Sequence, residues 1–240
     1  ARLYVARRAM TTAPCAPTGT MRYAPRCMKT FLAGLVVDGR RCVVLGGDRE
    51  ALDKSRRLAA AGAALTVVSP TLDPGFDALA GRHPFVHVAR APDLARDLTP
   101  VPFLVVSTAL DPARSEALYA RALIERFLLC CIDQPAYCTF SNLAVAEVGV
   151  VSLGLGSNGA APALLRRLRD DLAAGLGDGF ADFSRYLADL RVATAPEARR
   201  AVLAEALGAF SVGVQVRLPD GWRDRWEALR GQRPPADGLP

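Results

Sequence analysis

Three short stretches hold the residues whose types and spacing point to chemistry. Asp133 stands in "CCIDQPAYCTF" (130–140), at the end of an apolar run and two residues before Pro135. A carboxylate in that place accepts a proton while a hydride leaves, or takes the N–H protons of a pyrrole ring as a metal enters it. An Asp just before Pro also makes an ordinary turn. Spacing alone favours the turn. The second stretch, "VVLGGDREAL" (43–52), breaks a strand-like run with Gly46 and Gly47 and opens a helical pattern. In the dinucleotide pattern G-x-G-x-x-G/A, the first glycine makes the tight turn. The second lets backbone amides approach a pyrophosphate, and the third small residue lets helix and strand pack closely. Gly46 fills the first place and Ala51 the third, but Asp48 fills the second. Its carboxylate sets bulk and negative charge where two phosphates belong at a helix N-terminus. The competing reading is a tight turn with Asp48 as helix N-cap, a role Asp performs well. The third stretch is "GLGSNGAAPALLRRLR" (154–169). Pro162 suits the first turn of a helix. The loop before it, through Ser157, Asn158 and Gly159, offers amides and polar groups to an anion. One of Arg166, Arg167 and Arg169 would assist, and the others read as a solvated basic face.

These residues need elements to hold them. "RCVVLGG" (41–47), "ALTVVSP" (64–70), "PFVHVA" (84–89), "PFLVVSTA" (102–109) and "FLLCCID" (127–133) read as strands. Between them, residues 49–61 place Ala51, Leu52, Ser55, Leu58 and Ala59 on one helical face, closed by Gly62, and a second helix covers about Pro112 to Arg126. Continuous apolar strands alternating with helices predict a parallel sheet covered on both faces, with right-handed crossovers. The fold class is therefore α/β, a Rossmann-like doubly wound sheet. Ligands of such sheets bind beyond the carboxyl ends of the strands. That rule points to Gly46–Asp48, Ser69, Ser107–Ala109 and Asp133; the expected cofactor contacts are Gly46, Gly47, Asp48, Arg49, Ser69, Pro70, Thr108 and Ala109. The acidic ribose partner expected about 20 residues after the turn is missing; Ser69, Pro70 and Thr71 stand there, and Asp73 comes slightly late. After Asp133 the pattern changes. A strand from Gly149, the small-residue loop and a helix lead into apolar stripes at Phe180, Phe183, Leu187 and Leu190, at Val202, Leu203, Ala206 and Leu207, and at Trp222 and Trp226. Each stripe reads as helix-packing core.

Composition excludes several classes. The net charge of +6 sits in the first 37 residues, which hold six basic and no acidic side chains and leave 24 basic against 24 acidic. The footprint is a tail, so a nucleic-acid partner is not expected. No apolar run reaches the length of a membrane span. Six cysteines form no C-x-x-C pair, and Cys42, Cys130 and Cys131 lie in apolar runs, which fits a reducing, cytoplasmic setting. His83 and His87 alternate with apolar residues in "HPFVHV" and read as strand residues, and no metal site is expected.

Taken in order, these stretches resemble the siroheme synthase family, in its precorrin-2 dehydrogenase/sirohydrochlorin ferrochelatase module. The resemblance rests on "GRRCVVLGGDREALDKSRRLAAAGAALTVVSP" (39–70), "LVVSTALDP" (104–112), "LCCIDQPAYCTF" (129–140) and "LGSNGAAPALLRRLR" (155–169). It implies oxidation of precorrin-2 to sirohydrochlorin with NAD, then insertion of ferrous iron as a second substrate. It implies Asp133 as the group serving both steps, Gly46 and Gly47 as the nucleotide loop, and Ser157, Asn158, Gly159 and Pro162 as the substrate loop. It further implies a tetrapyrrole ligand and a homodimer. The chain then divides into an extension at 1–27, an NAD-binding domain at 28–142, a dimerisation and substrate-loop segment at 143–176, a helical domain at 177–231 and a tail at 232–240. Asp48, Gln134, Asn142–Leu143 and Ala161 depart from the family pattern around the expected pocket. A chelatase with a decayed nucleotide site, or a tetrapyrrole or nucleotide binder without catalysis, therefore stays open.

Overall fold

Five apolar segments become five parallel strands. In the computed structural model, which describes residues 30–231, they are β1 (Arg41–Leu45), β2 (Ala64–Val68), β3 (Val86–Val88), β4 (Leu104–Ser107) and β5 (Leu128–Cys131). The basic tail, Cys15, Cys27 and the residues after 231 lie outside that range. The sheet order is β3-β2-β1-β4-β5, with every pairing parallel. The order reverses between β1 and β4, and their carboxyl ends flank the crevice where such sheets bind ligands.

Consecutive strand residues point to opposite faces, so each strand feeds two cores. Cys42, Val44, Leu65, Val67, Leu104 and Val106 pack on one face with Ala51, Leu52 and Ala59 of α1 (Arg49–Ala60) and with Phe76 and Leu79 of α2 (Gly75–Ala80). Val43, Leu45, Val68, Val105, Leu129 and Cys131 pack on the other, against Leu98 after α3 (Leu94–Asp97) and Leu118 and Ala122 of α4 (Pro112–Glu125). Burying each such Val or Leu is worth roughly 1.5–3 kcal/mol. This is the doubly wound α/β fold expected from the sequence. Its helices also end where the residues predict: Gly62 takes φ +80° just past α1, and Asp111 caps α4 ahead of Pro112 through the amides of Ala113 and Arg114.

Three local readings are corrected. β3 spans Val86–Val88 rather than 84–89, and His83 sits in the turn before it, because α2 runs on to a Gly81 cap. Beyond the sheet, β6 (Ala144–Val148) and β7 (Val151–Leu155) form an antiparallel hairpin. The strand read from Gly149 starts instead at Val151, since Gly149, with φ +65°, makes the turn. Trp222 and Trp226, in α7 (Trp222–Gly231), are exposed rather than core.

The chain divides into two compact units between Phe180 and Ala181. The first holds the sheet, the hairpin and the start of α5 (Pro162–Ala193), which is broken at Gly177, where φ is +62°. Within the second, Phe183 of α5 stacks on Phe210 at 5.6 Å, and α6 (Arg199–Ala206) lies between those two rings in sequence.

Candidate functional site

The glycine turn is built tightly at the switch point. Gly46 has φ +139°, and a Cβ there would meet Thr108 Oγ1 at 2.1 Å. A Cβ on Gly47 would meet the carbonyl of Thr71 at 2.0 Å and Ser69 Oγ at 2.7 Å. Both positions are thus glycine because the ends of β2 and β4 close on the turn. The loop after β2 folds back onto it, with Asp73 N donating to Gly47 O at 2.6 Å. That fold-back brings Asp73 into a cleft of about 490 Å³ lined by Gly47, Asp48, Arg49, Ser69, Thr71, Leu72 and Asp73. Of the expected cofactor contacts, Gly47, Asp48, Arg49 and Ser69 meet there. Gly46, Pro70, Thr108 and Ala109 do not line the cleft. Asp73 was set aside in the sequence for coming late. Its signal was the Asp-Pro-Gly turn, in which Asp73 Oδ1 accepts from Gly75 N at 2.8 Å.

Asp48 caps α1. Its backbone is extended and Oδ1 accepts from Ala51 N at 2.8 Å. An amide in the first turn of α1, where an anion would be bound, is therefore taken by the protein's own carboxylate. Around the turn the residues fit a dinucleotide: a crevice at the switch point, glycines that admit close approach, and an aspartate for a ribose hydroxyl. The diphosphate position is the exception, since it already carries negative charge.

A second cleft, of about 470 Å³, opens beside the first turn of α1. It gathers Asp133 from the loop after β5, Pro162, Arg166 and Arg169 from α5, and Glu50, Asp53, Lys54 and Arg57 from α1. Asp133 adopts φ +55°, a left-handed turn that Asp tolerates better than most residues. Its loop is tied to β4 through Ile132 N to Ser107 O at 2.9 Å and Gln134 Nε2 to Ala109 O at 3.0 Å. Gln134 thus donates a bond that a carboxylate cannot. Lys54 bonds Glu50 at 2.8 Å and Asp53 at 3.1 Å. Burial opposes its charge, but those two carboxylates outweigh it and hold the ammonium above its ordinary pKa. Lys54, Arg57 and the α1 acids belong to no motif that the sequence marks.

The loop expected to hold substrate meets the second cleft only at its end. Pro162 lines the second cleft, whereas Ser157, Asn158 and Gly159 do not. Ser157 is engaged locally: its Oγ accepts from Ala161 N at 3.0 Å and its carbonyl from Ala160 N at 2.9 Å. Asn158 Oδ1 accepts from Thr30 Oγ1 at 2.6 Å. Among the described residues no group of three or more His, Cys, Asp or Glu side chains is arranged to hold a metal, and no helix is long and apolar enough to cross a membrane.

Comparison with known proteins follows this geometry. A family described as "Putative NAD(P)-binding" matches residues 34–144. The siroheme synthase of Gluconacetobacter diazotrophicus is 33% identical over 159 residues, which are 65% of this chain and 34% of that protein. That of Pseudomonas entomophila is 32% identical over 158 residues, 65% and 33% of the two chains. That of Acinetobacter baylyi is 26% identical over 205 residues, 84% and 40%. The chain thus spans about a third of the length of the siroheme synthases it matches. A solved structure, "SirC, precorrin-2 dehydrogenase", matches with a TM-score of 0.62 and 19% identity over 73% of this chain and 88% of that one, and so shares the fold.

Proposed function

We propose that this chain, whose nucleotide-binding module is siroheme synthase-like, oxidises precorrin-2 to sirohydrochlorin with NAD as acceptor. The observation that carries the reading is the convergence of Asp133, Pro162 and the cations of α1 and α5 in one cleft beside the glycine turn. When bound, NAD supplies the acceptor for a hydride. Gly46 and Gly47 would let it approach the backbone, and Asp73 would hold a ribose hydroxyl. Lys54 and Arg57 of the second cleft are paired with Glu50 and Asp53, so Arg166 and Arg169 of α5 would be the cations that meet the carboxylates of a tetrapyrrole. Asp133 accepts the proton that leaves the ring as the hydride departs, so two electrons and two hydrogens are accounted for. Orientation and proton transfer are the protein's share of the work.

The test is anaerobic incubation of precorrin-2 with NAD. NADH absorbance should rise in step with sirohydrochlorin, and folded protein that yields no NADH would refute the dehydrogenase reading. A second reading has its own observation. Because Asp48 occupies an amide of the first turn of α1, a chain that had lost NAD would still present Asp133 to a metal-free ring. It would take two pyrrole protons as ferrous iron, the second substrate, enters. Sirohydrochlorin with Fe²⁺ and no NAD separates the two, since only a chelatase speeds the shift of the ring's absorption over the protein-free rate.

We also propose a homodimer. A two-stranded sheet is marginal alone; β6 and β7 keep most of their residues partly exposed, with Val150 at their turn 58% exposed.

A further inference from the structure

The proposed reaction leaves a cluster of sulfur unused. After β5 the chain makes a short 3-10 turn, Pro135–Tyr137, and returns along the outer edge of the strand. Thr139 N donates to Leu129 O at 2.8 Å and Leu129 N to Thr139 Oγ1 at 2.7 Å. This return sets Cys138 beside β5, with Sγ 3.3 Å from Cys131 O and 3.4 Å from Gln134 O. The Leu129–Thr139 pairing brings Cys138 alongside Cys130, each thiol shifts the other's ionisation, and Asn142 Nδ2 lies 3.1 Å from Cys130 Sγ. Both sulfur-bearing residues line the cleft that holds Asp133. A solitary buried cysteine is adequately explained as a small apolar side chain. Two cysteines alongside each other on the wall of an open cleft require more.

We propose that Cys130 and Cys138 form a peroxide-reactive dithiol that closes to an intrachain disulfide on the wall of this cleft. Cys138 reacts first. Its thiolate attacks one oxygen of a hydroperoxide; an S–O bond forms, the O–O bond breaks, and the other oxygen leaves as an alcohol, or as water from hydrogen peroxide. The sulfur of Cys130 then attacks the resulting sulfenic acid. The S–S bond forms, the S–O bond breaks, and water leaves. Two thiols are oxidised by two electrons and the peroxide is reduced by two. The order follows from surroundings. The neighbouring Cys130 thiol lowers the pKa of Cys138 against the opposing effect of burial, while Cys138, then burial, raises that of Cys130. Cys131 packs in the core against which Cys138 also rests, and burial pushes its thiol up to about 11, so the Cys131→Ser variant tests whether it can replace Cys130.

The bridge would close the loop that carries Asp133, so oxidation is expected to slow the proposed dehydrogenase; this clause rests on that reading. The experiment exposes the full chain to hydrogen peroxide, blocks the remaining thiols, and weighs the tryptic peptide that follows Arg126. A loss of two hydrogens within that peptide, reversed by dithiothreitol, is expected in the native chain and in Cys131→Ser. It should vanish in Cys130→Ser and in Cys138→Ser. Persistence in either of those variants, or its absence from the native chain, would overturn the proposal. Because the readout is a mass, it stands even if the reduced chain makes no NADH, an outcome that counts against the proposed function alone.

Discussion

At the scale of single residues, two aspartates carry the functional argument and behave differently. Asp48 is a helix cap first. Replacing an Asp cap by Gly costs only a few tenths of a kcal/mol, so Asp48→Gly should leave the fold intact while removing a charge from the anion position. NAD binding measured by calorimetric titration should then tighten about tenfold, ~1.4 kcal/mol; unchanged affinity would mean the carboxylate turns away from the ligand. Asp133 sits in a left-handed turn and in a charged cleft at once, so the two readings of the sequence do not compete. Asp133→Asn keeps size and turn preference while removing the base. Turnover of precorrin-2 should fall by about 100-fold or more, with NAD affinity unchanged.

At the scale of elements, the positions that hold the site are over-determined. Gly46→Ala would drive a Cβ into Thr108 at a backbone angle L-residues avoid, so a loss of roughly 2 kcal/mol or more is expected in chemical denaturation. α3, ahead of β4, depends on a buried carboxylate. Arg90 bonds both oxygens of Asp97, the amide of Asp93 donates to one at 2.7 Å, and Arg41 reaches the Asp97 carbonyl at 2.7 Å. Burial raises the Asp97 pKa, but Arg90, the Asp93 amide and Arg96 together outweigh it, and the group titrates below the usual carboxylate range. Its contribution is therefore full above the ordinary carboxylate pKa and disappears as pH falls through the lowered folded value. Urea denaturation should show Arg90→Met less stable than the native chain at neutral pH, with the gap closing as pH falls below the ordinary carboxylate range. A gap independent of pH would assign Arg90 to packing instead.

At the scale of the whole molecule, the hairpin and the proposed tetrapyrrole cleft belong to the same unit as the sheet, so a second copy that covers β6 and β7 would lie close to the cleft. Light scattering on the full chain should return twice the monomer mass of 25.5 kDa. A concentration-independent monomer would remove the dimer.

The sequence by itself determined the sheet and its helices. Continuous apolar runs, periodic faces and end signals such as Asp111–Pro112 and Gly62 are local, and burial on both faces of a parallel sheet leaves a plain imprint on composition. It also determined which aspartates to question. Only the tertiary structure decided what they meet. Asp73 reached the cleft at the glycine turn because the loop after β2 folds back on Gly47. Lys54 and Arg57 came to line a cleft because α5, about a hundred residues later, supplies another part of its lining. Cys130 and Cys138 became a pair because the chain reverses along β5. Each is a contact between residues whose separation along the chain fixes no distance, so nothing in the order of the letters could reveal it.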